Sequence, residues 1–184
     1  MRTRSKLATI ALATGLAAAG FAGPAHAADS GSTTATFTIT GGALDITVPA
    51  STVALGTGTI KTGTLTASAT LGPVSVTDSR GALLGNWTTG VSSTSFVTGT
   101  STANETVAAS GIAYSSGVST AMTGSGVFTP GVLTTLAPTA PRGTAAAYAG
   151  EGNNSATWNP TLIFTLGAQQ VAGTYTGTVT HSVA

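Results

Sequence analysis

The side chains of this sequence best equipped for chemistry are Asp45, Asp78, Arg80, Glu105, Glu151, His181, Trp87 and Trp158. Only 6% of the residues are charged, so each ionisable group has to be weighed as catalyst, ligand or scaffold. Glycoside hydrolysis needs two carboxyls flanking one bond. No spacing among Asp45, Asp78, Glu105 and Glu151 singles out such a pair. Nucleophilic catalysis needs a base beside a Ser or Thr. His181 alternates with Val179 and Val183, a row facing a core, so a packed structural histidine is expected rather than a base. His181 as the one His after residue 27, no Cys and scattered carboxylates disfavour a transition-metal site. A calcium site built partly from backbone carbonyls stays open. No catalytic residue, cofactor or metal is expected.

The densest polar motif is "VTDSRGALLGNW", Val76 to Trp87. An Asp side chain accepts from backbone N–H groups two residues on, and Gly81 tolerates positive φ, so Asp78-Ser79-Arg80-Gly81 reads as a turn. The Arg80 guanidinium can fork onto a carboxylate or onto loop carbonyls. The expected role is bracing: Asp78 and Arg80 hold a strand exit so that the chain returns to its sheet through Trp87. The alternative is a polar ligand contact. Trp87 and Trp158 invite a sugar-stacking reading, but Trp158 shares a row with Ala156, Leu162, Phe164 and Leu166, which places it in the core. Trp87 is in phase with Thr89 and Val91, which leaves it undecided. Asn86, Asn104 and Asn153 match glycosylation sequons, a weak signal in a chain so rich in Ser and Thr.

The elements that must position these residues show an alternation of period two, the mark of half-buried strands. It runs through "TATFTIT" (Phe37, Ile39), "ALDITV" (Leu44, Ile46, Val48), "TLTASATL" (Leu65, Ala67, Ala69, Leu71), "PTLIFTL" and "TYTGTVTHSV". Thr suits the outer positions, being β-branched with a hydroxyl that stays wet. Gly41-Gly42, Pro49, Gly56, Gly58, Gly72-Pro73, Gly81 and the Gly150–Asn154 cluster punctuate the runs as turns. Residues 91–126 read as short strands with long loops, and 128–142 as an extended connection. "TAAAYA", 144–149, has helix propensity but is too short to stand as a helix. The expected fold is a single all-β domain, an antiparallel β-sandwich of immunoglobulin-like or Greek-key type.

Arg2, Arg4 and Lys6 followed by the apolar run 7–23 and Ala25-His26-Ala27 read as a secretory signal cut after Ala27. An uncleaved membrane anchor is the rival, with a run slightly short and diluted for a span. A mature chain of 28–184 keeps three basic and five acidic residues, a net charge of −2. That excludes nucleic-acid binding through clustered cations. There is no cysteine, hence no disulfide.

"ITGGALDITVPAS", "VTDSRG" leading to "NWT", and "NNSATWNPTLIFTLGAQQVAGTYTGTVTHSV" resemble the WxL domain of Gram-positive cell-surface proteins, in its actinobacterial-type form. The resemblance covers most of residues 28–184 and is weakest between Val91 and Arg142. It implies a secreted, non-enzymatic β-sandwich domain, extracellular and bound non-covalently to the cell wall through peptidoglycan. Asp78, Arg80, Gly81, Trp87, Trp158 and His181 are the motif residues carried over, with structural rather than ligand-binding roles expected. The sequence departs from the family's two Trp-x-Leu triplets: Trp87-Thr88-Thr89 lacks the Leu, and His181-Ser182-Val183 stands in place of the second. A structural or adhesin-like module that binds other surface proteins through strand edges is the alternative.

Overall fold

The computed structural model describes residues 32–49, 53–56 and 65–184. The expected signal segment and Lys61 lie outside these residues. Residues 32–38 form no strand and are exposed, and Ile39–Ala184 form a compact unit of their own. Its strands are β1 (Leu44–Thr47), β2 (Leu65–Thr70), β3 (Val74–Asp78), β4 (Trp87–Ser93), β5 (Phe96–Val97), β6 (Thr106–Val107), β7 (Ile112–Ser115), β8 (Ser119–Pro130), β9 (Val132–Leu133), β10 (Ala146–Trp158), β11 (Thr161–Leu166) and β12 (Val179–Val183). Two single 3₁₀ turns, Ala103–Glu105 and Ala109–Gly111, complete the regular structure among the described residues.

All the strand pairs are antiparallel. β1, β3, β10, β4, β12 and β8 build one sheet, and β2, β11, β7 and β9 a second. β10 organises the first. β8 pairs along both of its halves, so β8 takes one edge of β10, and β3 and β4 share the other. Asn154 to Trp158 pair with β3, and Ala146 to Tyr148 pair with β4. β3 and β4 therefore run in the same direction, end to end, as one strand interrupted by residues 79–86. β1 extends the β3 half and β12 the β4 half.

The sheets face each other across Val74, Val76, Trp87, Tyr148 and Trp158 from the first, and Ile112, Tyr114 and Leu162 from the second, all buried. The even-numbered row from Ala156 to Leu166 crosses from one sheet to the other at Asn159-Pro160. Pro160 has no N–H to give a ladder, which suits a corner. The β2–β3 crossover lies against it, with the Leu71 N–H donating to the Pro160 carbonyl at 2.9 Å.

The all-β antiparallel architecture agrees with the sequence reading, and so does the alternation in β1 and from Thr174 to Val183. Four segments depart from what their local composition suggests. "TATFTIT" forms no strand, and Phe37 and Ile39 are 85% and 80% exposed. "TAAAYA" enters β10, because Ala146 and Tyr148 find a core face against Thr89 and Trp87, and tertiary burial outweighs Ala's helix preference. The Gly150–Asn154 cluster is no chain reversal but an irregularity inside β10, with Gly152 at φ +64 and a register shift against β8 between Glu151 and Ser155. In the middle region β8 is one long strand rather than several short ones.

Candidate functional site

The interruption between β3 and β4 is densely hydrogen-bonded. Asp78 is 2% exposed at the end of β3. Its Oδ1 accepts from Arg80 Nε at 3.0 Å and from the Arg80 backbone N–H at 3.0 Å. Its Oδ2 accepts from Arg80 Nη2 at 2.8 Å. The same Nη2 donates to the Asn86 carbonyl at 2.8 Å, so one guanidinium ties the exit of the loop to its re-entry. The Arg80 hydrogen bonds, chiefly the side-chain ones, hold the Asp78 carboxyl below the usual carboxylate range. Gly81 sits at φ +67, a conformation that favours glycine.

β10 bonds the loop from below with asparagines. Asn153 Oδ1 accepts from Gly81 N–H at 2.8 Å, and Asn86 Oδ1 accepts from Gly150 N–H at 3.0 Å. Asn154 is buried, paired in register with Asp78, and donates from Nδ2 to the Gly85 carbonyl at 2.8 Å. Its Oδ1 accepts from Trp87 Nε1 at 2.8 Å. Gly85 must be glycine here, since a Cβ would sit 2.6 Å from Asn154 Nδ2. These asparagines enter the sequence reading only as sequons or turn residues. Their signal is a Gly/Asn cluster inside an otherwise alternating run, where amide side chains can replace a missing ladder partner.

The motif residues join into one chain of contacts. Trp87 stacks on Tyr148 (ring centroids 5.6 Å apart) and on Trp158 (6.1 Å). Trp158 Nε1 donates to Tyr114 Oη across the two sheets at 3.1 Å, and Tyr114 Oη lies 3.3 Å from His181 Nε2. The Tyr114 oxygen accepts from Trp158, and a neutral imidazole in the Nδ1–H form would take the phenol proton at Nε2. Burial pushes the Tyr114 phenol up to about 12 and the His181 imidazole down to about 4. His181 is half-buried on β12 and also lines an apolar groove of about 320 Å³ with Pro49, Leu55, Leu71 and Phe96. Tyr114 and Asn154, which complete the connection, have no motif to announce them in the sequence.

The carboxylates do not gather. Asp45 is exposed on β1, and its register opposite Thr77 puts it on the face away from Asp78. Glu151 is exposed on β10. Glu105 Oε2 accepts from the backbone N–H and hydroxyl groups of both Thr100 and Thr102, which lowers its pKa, Thr102's bonds foremost. Among the described residues no group of three or more His, Cys, Asp or Glu side chains is placed to hold a metal ion.

The outer face of the first sheet is a field of hydroxyls. Register sets Thr47, Ser75 and Thr157 in one row, and Thr77, Ser155 and Thr123 in the next beside Asp45. Ser75 and Thr157 share a hydrogen bond of 3.0 Å, and Thr123 and Ser155 one of 2.7 Å. Thr88, Ala147 and Thr129 form a further row, and Thr180 and Ser182 continue the face on β12. The short Ala147 between two threonines marks a shallow depression of about 310 Å³ bordered by Asn86 and Ala184. Comparison of the chain with protein-family models, curated proteins and solved structures finds no match.

Proposed function

We propose that residues 28–184 act outside the cell as a non-enzymatic surface domain that associates non-covalently with the cell wall, through peptidoglycan. The observation that carries this reading is the hydroxyl field of the first sheet. Its paired Ser and Thr side chains offer donors and acceptors in regular rows, and Asp45 supplies its one charge in the two rows nearest β1. A glycan strand studded with hydroxyls and N-acetyl groups is the polymer such a face would match, through many weak hydrogen bonds rather than one deep pocket. The resemblance of the motif segments to WxL domains supports the same reading. The bracing of residues 79–86 contributes by holding β3 and β4 in line, so that both halves of the face stay in one surface. In this reading Asp78, Arg80, Trp87, Trp158 and His181 are structural.

The test is sedimentation of the purified protein with washed peptidoglycan. The protein should pellet without any added partner. The triple variant Thr77→Glu, Thr123→Glu, Thr157→Glu should remain folded and lose at least tenfold in bound fraction. Pelleting that needs a second surface protein, or that the triple variant leaves unchanged, would overturn the proposal.

A further inference from the structure

We infer that residues Thr33–Thr40 of one copy add as a strand to the open edge of β8 in a second copy. Two features left unpaired among the described residues support this pairing, independently of wall association.

The first is the acceptor. β8 pairs with β10 along one side, and every residue from Thr120 to Val127 is exposed. Monomeric sheets blunt such an edge with charges, bulges or covering loops. β8 has no charged residue. Its irregularities are confined to the register shift near Thr120 and to Gly124, at φ +86. From Ser125 to Pro130 the ladder to β10 is regular, and Pro130 closes the strand with no N–H to offer. On the core-facing side Phe128 is 8% exposed, but Met122 is 42% exposed, so the apolar row is only partly covered.

The second feature is the donor. "TTATFTIT" has the same alternation as the strands that do enter the sheets, with no charge and no glycine or proline. It forms no strand among the described residues, and its apolar face lies in solvent at Phe37 and Ile39. Laid against β8, that face would extend the core-side row past Met122 and Phe128. Its threonines would extend the hydroxyl rows on the outer side. Eight residues reach about 26 Å when extended, long enough to follow the regular part of the edge. Main-chain bonds would supply the affinity and the alternate side chains the register.

A second copy is favoured over the same chain by the topology. The Gly42 N–H donates to the Ser79 carbonyl at 2.6 Å, and the Ser79 N–H to the Ala43 carbonyl at 2.9 Å. Residues 42–43 are thus fixed at the end of β3, whereas β8 lies beyond β10 on the opposite edge. Each copy then gives one strand and accepts one, a head-to-tail contact that propagates.

The test uses full chains as exported. The protein should form oligomers whose size rises with concentration in analytical ultracentrifugation. Phe37→Lys with Ile39→Lys, which spoils the donor, should be monomeric, and so should Met122→Lys with Val127→Lys, which spoils the acceptor. All four positions are exposed, so both double variants should melt within a few degrees of the parent. Mixed one to one, the two variants should form a dimer, since one intact donor and one intact acceptor remain. The cysteine-free background allows a direct check: Thr38→Cys with Val127→Cys should cross-link between chains. A monomeric parent, oligomers that survive the donor variant (β8 pairing with β8, for example), or a cross-link within one chain would each overturn the inference.

Discussion

Asp78 carries more of the loop than its size suggests, because one carboxylate satisfies three donors on Arg80 while shielded from water. Asp78→Ala should cost about 1–3 kcal/mol in urea unfolding, the range for stranding buried polar partners. Arg80→Lys should recover little of an Arg80→Ala loss, since an ammonium cannot make the forked contact. A pH series isolates His181. Its folded pKa, about 4, lies below its ordinary 6.5, so the unfolded chain takes up the proton first. The stability it contributes is whole above pH 6.5 and is lost as pH falls toward 4. The loss should amount to about 3 kcal/mol over that window. Asp78, with its pKa lowered from 3.8, contributes stability present above 3.8 and lost at still lower pH. Urea melts at pH 7, 5.5 and 4.5 should show the fall in the parent and a flatter profile in His181→Phe. Equal profiles would mean that His181 is not held neutral.

At the scale of elements, β10 is where sequence and structure part company most. Its apolar phases were legible: Ala156 and Trp158 face the core, as alternation requires. Its continuity was not, because Gly150–Asn154 carries every local sign of a turn. What keeps the strand going is β8 on one side and the 79–86 loop on the other, partners distant in sequence. The same limit hid Tyr114 and Asn154, whose roles depend on register across strands rather than on neighbours in the chain. Aspartate and arginine in "VTDSRG" could be read locally because turn chemistry is local. Trp158→Ala should cost about 3–5 kcal/mol as a large-to-small core change. Trp158→Phe should cost less, by keeping the ring while losing the bond to Tyr114. Asn154→Ala should cost about 1–3 kcal/mol by stranding Trp87 Nε1 and the Gly85 carbonyl. Thermal and urea melts that leave Asn154→Ala at parental stability would show that water replaces the amide.

For the whole molecule, almost every pairing joins distant segments: β3 with β10, β2 with β11, β4 with β12. Chains dominated by such contacts fold in about milliseconds to seconds. Stopped-flow refolding followed by tryptophan fluorescence should fall there, because both indoles report closure of the same core. A microsecond phase carrying the full signal change would contradict the topology. One further consequence is mechanical. Leu44 of β1 lies opposite Asp78, and Val183 of β12 opposite Thr89, so both peripheral strands meet the 79–86 loop at their inner ends. Ala43 and Ala184 are held there by backbone bonds to Ser79 and Thr88. Tension drawing these two points apart along the strand axis folds β1 and β12 back over themselves. The ladder bonds, which lie across the strands, are then loaded one after another rather than together. Under load the domain surrenders β1 and β12 at low force and keeps β3, β10 and β4 closed, a give of several residues at each end before the core bears any strain.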